Sequence, residues 1–345
     1  MNIAKRREVR FFLILLAAGA AGMILKEAVA PGIVRRRVIS AVRDNCKTCE
    51  LSLGRVRVSL LPPALSARDI RFSGGTPNAT VVKAEAERVY VPLSLFQLFK
   101  NRFRLGRIEI EKPAVTVTEG DLYGPASAEG GGKGPDLEIK SIKIKNGSFV
   151  YIREYPGRKG ILAVSRINAS AGPIGSSARL RGEKAAGTAT GLLEESGKFR
   201  LEVGAMIFAK VPDIDVKMEI AGQELASLDR FFKPSDGIEL KGTILEGRSA
   251  VVIRGARLSA TSFVRYRGLS VKIKKYKERG ALSAFFQNFF ASVTMGKQNA
   301  DGADYDRQET AELERKPKET LISFALRGMK ESAMKVSAKA AKADK

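Results

Sequence analysis

Apolar and polar residues alternate with a period of two over most of this chain. In the first such run, Val56, Val58 and Leu60 alternate with arginine and serine. The pattern recurs at Val89 and Val91; Ile108 and Ile110; Ile142 and Ile144; Phe199, Leu201 and Val203; Ile214, Val216, Met218 and Ile220; and Leu269, Val271 and Ile273. It predicts strands that are buried on one face only. Turn sequences separate the runs, so we expect an antiparallel β architecture of roughly a dozen or more strands.

A sheet of this kind has one apolar face that must be hidden from water. A second sheet can cover it as a sandwich, or the sheet can close into a barrel. A third solution is an open, curved groove whose apolar face is filled by acyl chains. The residues alone favour a sandwich or a barrel, because a sheet is more commonly covered by the protein's own side chains.

The N-terminus has the shape of an export signal. Basic residues between Lys5 and Arg10 precede an apolar run of about fifteen residues. The anchor residues are Phe11, Phe12, Leu13, Ile14, Leu15, Leu16, Met23, Ile24 and Leu25. We expect an uncleaved transmembrane signal anchor over 11–32, with a cleaved signal peptide as the alternative. The basic cluster keeps 1–10 in the cytoplasm, so the body is expected in the periplasm, tethered to a bacterial inner membrane by a single pass.

The charge balance predicts an anionic partner. The chain has 60 Lys and Arg against 37 Asp and Glu, a net charge of +23. Nucleic acid and acidic phospholipid both fit this charge. The expected periplasmic body argues against nucleic acid, so a phospholipid membrane with anionic lipids is the expected partner, and an envelope protein is a further possibility.

The residues that most enzymes use are scarce here. The chain has no histidine, which removes the commonest general base and metal ligand. Asp213 and Asp215 form a carboxylate pair, but no other hydrolase pattern accompanies them. Cys46 and Cys49 are the only cysteines and lack the further ligands that a zinc site needs. We therefore expect no enzyme activity, no metal and no cofactor, and either a local disulfide or two free thiols.

Three regions depart from the strand pattern. A basic amphipathic helix is expected near the membrane within 33–50, a short helix at 92–104, and helices at 281–293 and 321–342 with a polar loop between them. The expected parts of the chain are a cytoplasmic tail (1–10), the anchor (11–32), the juxtamembrane helix (33–50), a first β segment (51–125), a Gly-rich linker (126–135), a second β segment (136–275) and C-terminal amphipathic helices with a loop (276–345).

Several segments resemble the N-terminal region of the AsmA-like family. They are Val56-Arg57-Val58-Ser59-Leu60-Leu61-Pro62, Leu65-Ser66-Ala67-Arg68-Asp69-Ile70, Val91-Pro92-Leu93-Ser94-Leu95, the strand, proline and strand of 107–117, and Ile139 to Phe149. With the anchor, they cover about residues 10 to 152. Their order behind an N-terminal anchor makes the combination fairly specific.

The resemblance implies a groove. The AsmA-like family resembles chorein-type proteins, which carry phospholipid between membranes in a β groove. The resemblance to this family therefore implies an elongated, curved β-sheet with a helical C-terminal segment. It also implies a role in lipid transport or outer-membrane homeostasis. The candidate groove residues are Val56, Val58, Leu60, Val89, Val91, Ile108, Ile110, Ile142, Ile144, Leu201, Val203, Ile214, Val216, Met218, Val271 and Ile273. The alternative is a membrane-tethered scaffold for envelope or outer-membrane protein assembly that carries no lipid.

Overall fold

The computed structural model describes residues 30–60, 62–75, 80–92, 102–119, 136–155, 157–175, 180, 182–206, 211–273, 298–299, 308–316 and 321–343. Four predicted features lie outside these residues. They are the cytoplasmic tail at 1–10, the anchor at 11–32 apart from its last three residues, the Gly-rich linker at 126–135 and the helix at 281–293.

The described part of the chain consists mainly of β-strands. They are β1 (Glu50–Ser52), β2 (Val56–Leu60), β3 (Pro63–Gly75), β4 (Thr80–Pro92), β5 (Arg102–Glu111), β6 (Ala114–Glu119), β7 (Asp136–Tyr155), β8 (Arg158–Gly172), β9 (Ile174–Gly175), β10 (Ala185–Leu193), β11 (Gly197–Ala205), β12 (Asp213–Glu224), β13 (Ile238–Arg254), β14 (Arg257–Ile273), β15 (Gln298–Asn299) and β16 (Glu309–Glu314). The helices are α1 (Ala30–Asn45), α2 (Asp229–Asp236) and α3 (Leu321–Ala343).

All of these strands hydrogen-bond into a single sheet. Its order is β1-β3-β4-β5-β7-β8-β10-β11-β12-β13-β14-β15, with β2, β6, β9 and β16 pairing beside this path. The prediction of a mainly β protein is confirmed. The first and second β segments predicted on either side of the linker are both parts of this one sheet.

The prediction of a purely antiparallel sheet is wrong at one place. Strands β5 and β6 both run parallel to β7, with Arg102 opposite Asp136 and Glu119 opposite Arg153. The chain therefore leaves β6 at one end of β7 and re-enters the sheet at the other. A parallel pair needs a crossover instead of a hairpin. The sheet is therefore mixed.

A line of left-handed residues crosses one half of the sheet. Asp69, Lys112, Asn146 and Arg166 have φ between 47° and 52°. Such values are uncommon for residues other than glycine. Asp69, Lys112 and Asn146 each directly follow a member of the row in which Arg68, Arg88, Glu111 and Lys145 are paired, and Arg166 lies at the register shift of the next strand, β8. At each of these residues the alternation of apolar and polar residues along the strand shifts by one position. The apolar side chains before and after the left-handed residue therefore point to the same face of the sheet.

The described helices agree with two predictions and add one helix. The basic helix within 33–50 is confirmed as α1, which ends at Asn45 and not at residue 50. The C-terminal helix is confirmed as α3. Helix α2 was not predicted; it follows a 3-10 turn at Leu225–Leu228 and ends at Gly237, whose left-handed φ of 68° forms the C-cap. The helix predicted at 92–104 falls largely on undescribed residues, and Pro92 and Arg102 belong to strands.

The loop predicted between the C-terminal helices is wrong in part. Residues Glu309–Glu314 form β16, which pairs with β14. Ala311 and Leu313 alternate there with threonine and glutamate, and Ala311 is buried. Among the described helices, none is long and apolar enough to cross a membrane.

The fully packed core lies at the two ends of the sheet. At one end Phe324 of α3 packs with Val251, Ile253, Leu258 and Ala260, and each of these five residues is at most 3% exposed. Three hydroxyls connect the layers there, with Ser262 Oγ lying 2.8 Å from Ser249 Oγ and 2.6 Å from Ser332 Oγ.

At the other end of the sheet, Val34 and Ile39 of α1 pack against Leu53, Val56 and Ala67. The chain then turns from α1 into β1 through a disulfide between Cys46 and Cys49.

Two adjacent valines of β13 test this arrangement. Val251 is fully buried and Val252 is 39% exposed. We expect Val251→Ala to lower the free energy of unfolding by about 2 kcal/mol, because it removes two buried methyl groups and leaves a cavity. The matched change Val252→Ala should cost less than about 0.5 kcal/mol. Chemical denaturation followed by circular dichroism measures both; equal losses would contradict the assigned faces.

Candidate functional site

A continuous row of apolar side chains crosses the sheet. Paired residues of neighbouring strands point to the same face, so the pairing can be followed from strand to strand. The apolar row is Val56, Ala67, Val89, Ile110, Ile144, Ala169, Ala189, Leu201 and Met218. It continues into Ser249 and Ser262 of the hydroxyl cluster under α3. With about 4.8 Å between strands, the nine residues extend over about 40 Å.

A second row lies beside the first on the same face. The second row is Ile108, Ile142, Ala171, Gly187, Val203, Val216, Val251, Ala260 and Ala311. The two rows alternate along each strand with polar residues that point the other way. Together they make an apolar band two residues wide.

The band is covered at its ends and open in its middle. Val56 and Ala67 are buried under α1, and Val251 and Ala260 are buried under α3. Between β4 and β12 each member of both rows is half-buried. All described strands belong to one sheet, so no separate second sheet lies over the band among the described residues. The first and last strands of the order, β1 and β15, do not pair with each other among the described residues.

All three described helices pack against this one face. Helices α1 and α3 cover the ends of the band, and helix α2 contacts the same face at the edge of the band. There the ring centroids of Phe231 and Tyr151 are 5.8 Å apart. Tyr151 is on the band's side of β7, because its partner Leu162 and the next pair, Phe149 and Val164, follow the same alternation. The helices therefore frame the band without covering its middle.

Most of the predicted groove residues lie in this band. The apolar row contains Val56, Val89, Ile110, Ile144, Leu201 and Met218, and the second row contains Ile108, Ile142, Val203 and Val216. Val58 pairs with Leu65 and through it with Val91, and Ile214 pairs with Ile253, so these continue the same face. Leu60 pairs with Pro63 at the end of β2, while Val271 and Ile273 pair with Leu240 and Ile238 beyond two β-bulges.

Several members of the band were not predicted. They are small residues, chiefly Ala169 and Ala171 of β8 and Gly187 and Ala189 of β10. In these strands alanine or glycine alternates with serine, threonine or asparagine. The same period of two is present, but it is visible only if alanine and glycine are counted as apolar.

The opposite face of the sheet is polar and rich in ion pairs. Its middle row is Ser66, Tyr90, Glu109, Lys143, Ser170, Thr188, Glu202 and Lys217. Lys145 Nζ lies 2.6 Å from Glu109 Oε2. The hydrogen bond from Lys145 holds the pKa of Glu109 below its ordinary value. This face is compatible with water.

The carboxylates Asp213 and Asp215 lie in an ion-pair cluster. Lys184 Nζ is 2.8 Å from Asp213 Oδ1, and Arg254 Nη2 is 2.6 Å from Asp215 Oδ1. Hydrogen bonds from Lys184 and then from Arg254 lower the pKa of Asp215, and the two aspartates raise the pKa of Lys184. The cluster ties the start of β12 to the end of β13. In the part of the chain that the structure describes, no group of three or more His, Cys, Asp or Glu side chains could hold a metal ion.

Comparison with known proteins adds no relative. No family model matches the chain, and no curated protein matches it. The resemblance to the AsmA-like family therefore rests on the segments quoted above.

The ion-pair cluster predicts a pH-dependent stability. The pKa of Asp215 is lower in the folded protein than its ordinary value, so its contribution is present above about pH 4 and is lost as the pH falls through the folded pKa. We expect Asp215→Asn to be less stable than the wild type near pH 7, and the difference to shrink below about pH 4. Denaturation midpoints across this range measure it. About 0.5 M NaCl should reduce the difference at neutral pH by screening, and a difference that grows on acidification would contradict the assignment.

Proposed function

We propose that the apolar band binds the acyl chains of phospholipids, and that the protein is a membrane-tethered lipid-binding protein that contributes to lipid transport or outer-membrane homeostasis. The observation that carries this proposal is the band's open middle, which extends from β4 to β12 with each residue half-buried. A contiguous apolar surface of this extent that is only half-buried marks an interaction site. No catalytic step is proposed.

The shape of the band favours a chain-like ligand. At β8 and β10 its residues are small, whereas β7 and β11 on either side contribute larger ones such as Ile144 and Leu201. Small side chains beside large ones leave a shallow depression two strands wide, about 10 Å across. The lining is aliphatic, without charges among the paired positions from Val89 to Met218. An acyl chain needs only such continuous aliphatic contact.

Two features support a tethered body outside the cytoplasm. The basic face of α1 is exposed at Arg35, Arg36 and Arg37, where it can meet anionic headgroups. Ile33 beside them is 48% exposed, which suits the interface of a bilayer. The disulfide between Cys46 and Cys49 is compatible with an oxidising compartment such as the periplasm. We infer that residues 11–32 form an uncleaved anchor in a bacterial inner membrane.

A charge placed in the band tests lipid binding. Ala189 lies in the middle of the apolar row, and its neighbour Thr190 is exposed on the polar face. We expect Ala189→Asp to lower the phospholipid that co-purifies with the full chain in mild detergent by at least about fivefold, because a carboxylate resists burial against acyl chains. The matched change Thr190→Asp should leave the amount unchanged. Quantitative lipid mass spectrometry, normalised to protein, measures both.

A photocrosslinker locates the ligand. Replacing Met218 of the apolar row with a photoreactive amino acid should yield phospholipid adducts in cells, whereas the same replacement at Lys217 on the opposite face should not. A stoichiometric protein adduct at Met218 without lipid would overturn the proposal in favour of a scaffold that binds an envelope protein. Wild-type protein that purifies without phospholipid would overturn it as well.

The tethered orientation has its own test. An alkaline phosphatase domain fused after Lys345 should be active, since this enzyme needs the periplasm for its disulfides. Deleting Phe11 to Leu25 from the same fusion should abolish the activity by keeping the body in the cytoplasm. An active deletion fusion, or an inactive full-length one that is present in cells at normal amount, would contradict the proposed orientation.

A further inference from the structure

A cavity rich in arginine lies at the edge of the sheet beside α1. Its volume is about 770 Å³. It is lined by Pro31, Arg55, Val56, Arg57, Val58, Ser59, Ala64, Ser66, Arg68, Arg88 and Tyr90. Four of its eleven lining residues are therefore arginines. Strand β2 pairs only with β3 among the described strands, so the cavity borders a free edge.

The strand register places these arginines side by side. Arg68 is directly opposite Arg88, and the Arg68 N–H donates to the Arg55 carbonyl at 3.0 Å. In the neighbouring row, Arg57 is opposite Ser66, which is opposite Tyr90. Like charges directly opposite each other destabilise a sheet. A bound anion would therefore reduce the repulsion between Arg68 and Arg88.

The described carboxylates neutralise this cluster only in part. Arg88 lies 3.7 Å from Glu111. Glu87 interacts electrostatically with Arg68, but its carboxylate is bound by Lys112 at 2.7 Å. Within the described residues, no carboxylate comes within 4 Å of the guanidinium groups of Arg55, Arg57 or Arg68. These three side chains are exposed, so an anion from solution or from a membrane can reach them.

We propose that this cavity binds the phosphate group of a phospholipid. Guanidinium groups bind phosphate oxygens through paired, charge-assisted hydrogen bonds. Pro31 of α1 also lines the cavity, so the arginines lie next to the helix whose exposed basic face is proposed to meet the bilayer. This position makes a membrane phospholipid, and not free phosphate, the source of the phosphate group. The site lies beside α1, where the chain reaches the proposed bilayer.

This inference rests on the proposed function in taking lipid as the ligand, but it concerns a separate set of residues. The arginines lie on the polar face of the sheet, whereas the apolar band that is proposed to hold acyl chains lies on the other face. The two can therefore fail independently. A free phosphate has the same charge chemistry as the headgroup, and the probes must separate the two sources.

The test uses the full chain in mild detergent and three probes. They are dihexanoyl phosphatidylglycerol, dihexanoylglycerol, which lacks the phosphate, and inorganic phosphate. The variant is Arg57→Gln with Arg68→Gln. The control is Arg257→Gln with Lys198→Gln, which removes the same charge from exposed positions on β14 and β11. Native mass spectrometry measures the dissociation constants, and thermal melting by circular dichroism checks that each variant is folded.

We expect the variant to bind dihexanoyl phosphatidylglycerol at least about tenfold more weakly than the wild type, because two charge-assisted contacts are lost. The control should bind it as the wild type does. Dihexanoylglycerol should bind wild type and variant equally, since it contacts the apolar band alone. Inorganic phosphate should bind the wild type much more weakly than the phospholipid.

Two results would overturn the headgroup site. One is unchanged phospholipid binding by the folded variant. The other is inorganic phosphate binding as tightly as the phospholipid, which would make the cavity a site for free phosphate. If instead dihexanoylglycerol fails to bind while the phospholipid binds and is lost in the variant, the headgroup site stands and the acyl-binding function of the band is wrong.

Discussion

The cross-strand pairing of residues is the constraint on which this structure depends. Each pair puts two side chains on the same side of the sheet, and a chain of pairs from Val56 to Met218 keeps nine apolar residues aligned over nine strands. A slip of one residue in any strand would turn its apolar side chains to the polar face. The bulges at Asn146 and Arg166 carry the alignment across a shift in alternation. The continuity of the band therefore depends on the register of every strand pair that it crosses.

Strands with large apolar side chains could be predicted from the sequence, whereas strands with small ones could not. Strands marked by Val, Ile and Leu, such as β5 and β12, could be recognised from alternation alone, and so could the amphipathic helices α1 and α3. Strand β10 could not, because its inward residues are Ala and Gly. Strand β16 was hidden by its charged outward residues. The parallel pairing of β5 and β6 with β7 depends on where a Gly-rich segment returns the chain, which local pattern does not encode.

The residues of the candidate site could also be predicted from the sequence only in part. The large residues of the apolar band could be predicted, since alternation selects the face they share. Their neighbours Ala169 and Ala189 were missed, although these give the band its depth. The arginine cavity was out of reach of sequence reasoning, because Arg57, Arg68 and Arg88 are separated along the chain and meet only through the register of β2, β3 and β4. The covering of the band by α1, α2 and α3 at its margins depends on packing that periodicity does not specify.

The direction of the band has a further consequence. It runs along the hydrogen-bonding direction, at right angles to the strands, so its extent depends on how many strands there are and not on how long each one is. Adding one hairpin to such a sheet would lengthen the track by about 10 Å and leave its cross-section unchanged. Duplication of a short chain unit could therefore lengthen the apolar surface of such a sheet without changing the side chains that line it.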